Sequence, residues 1–242
     1  MKHILFCVAF GCVLFASCSG RVNGVLREDG SADLTLRASV EPRMAGLIRA
    51  LSRLNNPSAS ASDPILNGPA IAASMSAAPG VKSASFRNTT PTSIEGTIAF
   101  TRVDAFLAIP GNQGAGAFVT YGQTSAGGRF RIALNRSTGP RLVAAVSPDV
   151  SVYLEALMAP VVTGEVVSKT EYLNMVRSVY GKPIADEIAA AKIQASIDFP
   201  RPIDTIRRGA VSSADKNRGE FTIPLLDLLV LESPLEYEVS WK

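Results

Sequence analysis

The chain has 242 residues, 47% of them hydrophobic and 19% charged, with a formal net charge of +3. That composition belongs to a folded globular protein and excludes a disordered acidic tail or a collagen-like repeat. Without the apolar first 17 residues the charge falls to +2, which argues against nucleic-acid binding driven by phosphate neutralisation.

The chain starts Met1-Lys2-His3 and runs apolar from Ile4 to Phe15. A positive start and so short an apolar run read as an export signal, because spanning a bilayer takes about 20 apolar residues. Small residues Ala16 and Ser17 follow, then Cys18. Leu14-Phe15-Ala16-Ser17-Cys18 resembles the lipobox of bacterial lipoproteins. Phe15 stands where the usual box has Leu, as in the relaxed boxes of spirochaete lipoproteins. The resemblance implies a signal peptide over 1–17, diacylglycerol on the Cys18 sulfur, and an acylated (palmitate) amino group. It covers about twenty residues; the mature domain, 18–242, resembles no family by its motifs.

Cysteine and histidine usage agree with this reading. Cys7 and Cys12 fall inside the signal, so the mature chain keeps Cys18 alone and forms no internal disulfide. The one histidine, His3, is also in the signal. A mature chain without imidazole excludes Ser-His-Asp and Cys-His catalysis and His-ligated metals. No cofactor is expected, and an enzyme would have to work with carboxylates, Lys, Tyr or Ser.

Arg21–Arg27 and Ser31–Val40 read as a hairpin around Glu28-Asp29-Gly30. Its second strand alternates, with Leu34, Leu36, Ala38 and Val40 on one face. Pro42 opens a helix in which Met44, Leu47, Ile48, Leu51 and Leu54 recur at helical spacing, and Asn55-Asn56-Pro57 ends it. A Ser/Ala linker leads to Asp63-Pro64, which reads as the cap of a weaker helix over Ile65–Ala77. Strands follow at Val81–Arg87 and Ile94–Phe100, then at Ala117–Gly122 and Arg129–Leu134 with Ala126-Gly127-Gly128 as the turn. Leu142–Val146 reads as a short strand or the approach to a helix.

The period then changes. Asp149–Met158, Thr170–Tyr180 and Ile184–Ile193 read as helices, with a capping box at Ser168–Glu171 and a left-handed stop at Gly181. Strands return at Gln194–Phe199, Ile203–Ser212, Glu220–Ile223 and Glu236–Trp241, with Leu225–Leu231 of undecided type. The order implies an α+β fold, an antiparallel sheet with helices packed on one face. The expectation is one mature domain with a helical insertion at about 148–193.

Four local patterns are weak as chemistry. The glycine-rich stretch Gly111–Gly116 precedes a strand-like segment and not a helix, so it lacks the context of a phosphate cradle. Ser213-Ala214-Asp215-Lys216 matches S-x-x-K but lacks its partner motifs and sits in a predicted turn. Glu28, Asp29 and Asp33 lack calcium-loop spacing. Arg201, Arg207, Arg208 and Arg218 would meet lipid headgroups or a protein, or form a solvated face.

The apolar stretch Leu142–Gly164 contains Pro148, Asp149, Glu155 and Pro160, which exclude a transmembrane helix. Val152, Tyr153, Leu157 and Met158 are the candidate ligand-binding residues, either core or the wall of an apolar groove. The expected function is a lipid-anchored, non-catalytic binding or interaction module of the cell envelope. The alternative is a carrier of a lipid or other hydrophobic ligand. Expected partners are the membrane, through the anchor, and an envelope protein or hydrophobic ligand; nucleic acid is not one. The expected location is the outer membrane or the periplasmic face.

Overall fold

The computed structural model describes residues 18–55, 60, 62–108, 116, 118–144 and 154–242. The fold is α+β, and its strands form two sheets. The larger contains β1 (Cys18–Leu26), β2 (Ala32–Val40), β3 (Val81–Thr90), β4 (Ser93–Phe100), β7 (Lys192–Asp198), β9 (Gly209–Val211) and β10 (Arg218–Pro224). Its order is β3-β4-β2-β1-β7-β10-β9. The smaller, in the order β5-β6-β11-β8, contains β5 (Val119–Thr124), β6 (Gly127–Leu134), β8 (Ile203–Arg207) and β11 (Leu235–Trp241). Only β1 and β7 pair in parallel among the described strands.

Alternation sets the faces of both sheets. Across the larger one, Val22 lies opposite Leu36 and Ala195, and Gly24 opposite Leu34 and Ile197. The intervening Arg21, Asn23, Thr35 and Arg37 point outward and are exposed. Residues two apart share a face, so one face of each strand is apolar and the other wet. In β11, Leu235, Tyr237, Val239 and Trp241 are buried. Glu236 and Glu238 between them pair outward with Arg131, Arg129 and Arg207 across β6 and β8.

Helices cover part of the larger sheet's apolar face. α1 (Pro42–Asn55) buries Met44, Ala45 and Ile48, and its Met44 amide donates to Glu187 of α7 (Lys182–Ala190) at 3.0 Å. α2 (Gly68–Ser76) lies on β3. There the Asn88 side chain accepts from the Gly68 amide at 3.1 Å and donates to the Leu66 carbonyl at 2.6 Å. The cap of α2 is Asn67, not Asp63, because Gly68-Pro69 forms the first turn of this helix. α3 (Val103–Leu107) and α4 (Gly139–Ala144) are short, and the latter makes 142–144 of the undecided Leu142–Val146 segment helical, the rest lying outside the described residues. A helical turn at 154–157 leads into α5 (Ala159–Thr163). α6 (Lys169–Tyr180) packs on α7, and both meet α8 (Leu225–Val230).

Other local expectations change too, and the helix expected over Ile184–Ile193 ends at Ala190, with Lys192 and Ile193 already in β7. Gly181 has φ 90° and ψ 159°, positive in φ but extended in ψ, since α7 restarts at once with Pro183 in its first turn. The single strand expected at Ile203–Ser212 is two, β8 and β9, which lie in different sheets. Arg208 joins them with φ 54°.

The capping box of α6 is present: Ser168 Oγ accepts from the Glu171 amide, and Glu171 accepts from the Ser168 amide at 2.7 Å. That backbone hydrogen bond holds the Glu171 carboxyl below its ordinary pKa. Its contribution is therefore complete above about pH 4.3 and is lost as pH falls through the depressed value. Ser168→Ala is expected to cost about 1 kcal/mol, read as a lower urea midpoint with an unchanged slope.

Candidate functional site: an apolar cavity between the sheets

Where the helices stop, the smaller sheet covers the apolar face of the larger one, and the two do not close on each other. Between them lies a cavity of about 230 Å³. Its floor comes from Val22, Leu36, Ala195 and Phe221 on adjacent strands of the larger sheet. Its roof comes from Ile132, Tyr121, Phe130 and Val239 on the smaller one. α3 closes one side with Val103, Phe106 and Leu107, and Phe106 packs on Phe100 at 4.7 Å between ring centres.

The space follows from residue size. Ala32 and Ala195 face inward where neighbouring positions carry Leu, Ile or Phe. Gly24 has no side chain, and Leu34 and Ile197 lean over it. A Cβ there would lie 2.5 Å from Leu34 Cδ2 and 2.9 Å from Ile197 Cδ1.

Polar groups around the cavity are already satisfied. Tyr121 donates to Gln123 Oε1 at 2.6 Å, and Gln123 donates to the Glu28 carbonyl at 2.7 Å. Arg201 donates to the Glu28 carboxylate at 2.8 Å and to the Ser125 carbonyl at 3.0 Å. These bonds join the β1–β2 turn to the β5–β6 turn at one end of the sandwich. Tyr237 donates to the Thr222 carbonyl at 2.9 Å, tying one sheet to the other. Burial raises both tyrosine pKa values, so both hydroxyls stay protonated donors. Glu238, the one carboxylate at the lining, is paired with Arg129 and Arg131, so the lining offers a ligand apolar surface and no unpaired acid. Its volume falls between the ~150 Å³ that admits benzene and the ~300 Å³ at which drug-sized pockets begin. It suits one aliphatic chain end or one small ring.

The residues singled out in the sequence as candidate sites do not line this cavity where the structure describes them. Val152 and Tyr153 fall outside the described residues. Met158 is 0% exposed and Leu157 partly buried, both packed in the helical layer, where the Leu157 carbonyl accepts from Tyr172 at 2.9 Å. Neither lines the cavity. Cys18 opens β1, opposite Val40. The loop 111–115 is outside the described residues, and Ser213–Lys216 forms the exposed turn before β10. Glu28, Asp33 and Asp29 are engaged by Arg201, Arg27 and the Ser31 amide. Among the described residues no group of three or more His, Cys, Asp or Glu is placed to hold a metal. No described helix is long and apolar enough to cross a membrane. Of the four arginines, Arg201, Arg207 and Arg218 pair with Glu28, Glu236 and Asp198.

No protein-family model and no curated protein matches the chain. A solved structure that it resembles is the NMR structure of the folded domain of Mycobacterium tuberculosis LppM. The identity is 9% and the TM-score 0.41, over 94% of this chain and 90% of that one. Nothing is carried over to this chain at that level of likeness.

Trp241, the sole tryptophan, packs on Phe199 at 5.1 Å and Tyr121 at 6.4 Å and lies across Gly128. A Cβ on Gly128 would come within 2.2 Å of the indole. Gly128→Ala is expected to cost about 1–3 kcal/mol by overpacking and to red-shift the tryptophan emission. An unshifted spectrum with unchanged stability would show that the indole is not held there.

Proposed function

We propose that the chain is a lipid-anchored protein of the bacterial envelope that binds a hydrophobic ligand between its two sheets. The observation that carries the reading is the 230 Å³ cavity with its apolar lining. The lipobox-like Leu14–Cys18 supports the anchor, and the absence of imidazole beyond His3 supports binding over catalysis. Between the two expected forms, interaction module and carrier, the cavity favours the carrier. Each buried methylene stabilises the complex by about 0.8 kcal/mol, so a chain end of six to eight carbons supplies about 5–6 kcal/mol. Association entropy removes much of that, and the expected affinity is modest.

The anchor position has a geometric consequence. Cys18 already pairs with Val40, so no linker separates the anchor from the sheet. Lipid on Cys18 would set the end of the sheet near Val40 and Lys192 against the bilayer. At about 3.3 Å per residue, the Glu28 end of the sandwich then stands about 26 Å or more away. The cavity begins at Ile193, level with Gly20 and about 7 Å from the anchor.

A second reading, docking of a protein partner, is favoured by Met175 and Val179. They lie four residues apart on α6 and are 43% and 71% exposed. Replacing both with Ser would remove such a surface and leave the cavity intact.

Two measurements test the main reading. Cys18→Ser is expected to leave an unprocessed precursor without acyl label, and normal labelling of that variant contradicts the anchor. Octan-1-ol, titrated calorimetrically, is expected to bind the mature chain. Ala195→Leu should weaken that binding at least about tenfold by filling the cavity, and Leu157→Ala should leave it unchanged. Binding indifferent to Ala195→Leu but lost in Leu157→Ala would move the site to the helical layer.

A further inference from the structure

The outer face of the larger sheet holds two features that cost stability, and both lead to one groove. The first is a like-charge pair. Arg21 on β1 lies directly opposite Arg37 on β2, an arrangement that destabilises a sheet. The adjacent anion, Glu95, is held by Arg87, with Arg37 at 3.6 Å, which leaves Arg21 without an ion pair or hydrogen bond among the described residues. The second is backbone strain. Arg208 is the single residue between β8 in one sheet and β9 in the other, and its φ of 54° is a conformation that glycine adopts without cost. Arg208 also lacks an ion pair or hydrogen bond among the described residues, unlike Arg201, Arg207 and Arg218.

The strand register puts the two arginines in one row. Arg21 lies opposite Gln194, and Gln194 opposite Thr222. Phe221 lies opposite Gly209, so one residue earlier on that chain Arg208 comes level with Thr222. The row therefore reads Arg21, Gln194, Thr222, Arg208 across three strand spacings, about 14 Å. Beside it runs a second row of Asn23, Ser196 and Glu220. Together these residues line a groove of about 730 Å³ on the face opposite the apolar cavity.

We propose that this groove binds an acidic oligosaccharide about two sugars long. Arg21 and Arg208 at its ends would take carboxylates, which guanidinium groups meet in bidentate geometry. The amides and hydroxyls of Asn23, Gln194, Ser196 and Thr222 would take sugar hydroxyls. The Glu220 carboxylate accepts from hydroxyls but repels a second acid, which places the acidic groups towards the arginine row. The site lies outside the cavity and is independent of what the cavity holds.

The test is calorimetric titration of the mature chain with digalacturonic acid. Cellobiose serves as the neutral control and inorganic phosphate as the anion control. Binding of digalacturonic acid is expected, with affinity at least about tenfold lower in Arg21→Gln and in Arg208→Gly, while Arg208→Lys, which keeps the charge but not the bidentate geometry, loses less than Arg208→Gly. Arg208→Gly should raise the melting temperature, since glycine removes the strain, so lost binding there cannot be lost folding. No binding of digalacturonic acid, or binding unchanged in both neutral variants, overturns the proposal. Equal binding of phosphate overturns the sugar class, and equal binding of cellobiose overturns the role of the arginines.

Discussion

A seven-stranded sheet with one apolar face must bury that face, and the rest of this molecule is arranged around how it does so. The face running from Phe86 through Leu36 and Ala195 to Phe221 is wider than one layer of helices covers here. α1, α2, α6 and α7 belong to one part of the cover, and β5, β6, β8 and β11 form the other. Two covers of different kinds do not have to meet. Sheets pack face to face at about 10 Å, and Ala32 and Ala195 reduce what the floor contributes to that gap. The cavity is the part of the sandwich that these small residues leave unfilled.

The same strands carry opposite chemistry on their two faces. β1, β7 and β10 present Val22, Ala195 and Phe221 to the cavity. They present Arg21, Gln194 and Thr222 to the outer groove. A strand with this period separates an apolar cavity from a charged groove by the thickness of a single sheet. The ends differ as well. At the end with the β1–β2 turn, Gln123 and Arg201 fasten the Glu28 turn to the opposite sheet. At the other end Cys18, the residue with the lipobox-like context, enters the sheet directly.

Local features of the fold were legible in the sequence because their causes are local. Asp29-Gly30 between alternating runs gives the β1–β2 hairpin, and Gly30 takes a φ of 79° there. Ser168 and Glu171 give the cap of α6 by their spacing alone. The second sheet was not legible, because alternation tells which face of a strand is apolar and not what covers it. The break at Arg208 carried no signal, since an arginine in the left-handed region is the exception and Gly209 beside it looks like the flexible residue. Leu157 and Met158, the described pair among the candidate ligand-binding residues, are packed in the helical layer. The lining of the cavity between the sheets is spread singly over strands far apart in sequence, and two of the informative residues are alanines.

The central claim is that the space between the sheets holds an apolar ligand. The most direct measurement is native mass spectrometry of the mature protein purified from its own membranes, followed by solvent extraction and identification of what is released. The account predicts an adduct beyond the anchor's own mass, near one per chain, which dissociates to a hydrophobic molecule and is absent from Ala195→Leu. A chain that carries its anchor and nothing else, equally in both proteins, would contradict it.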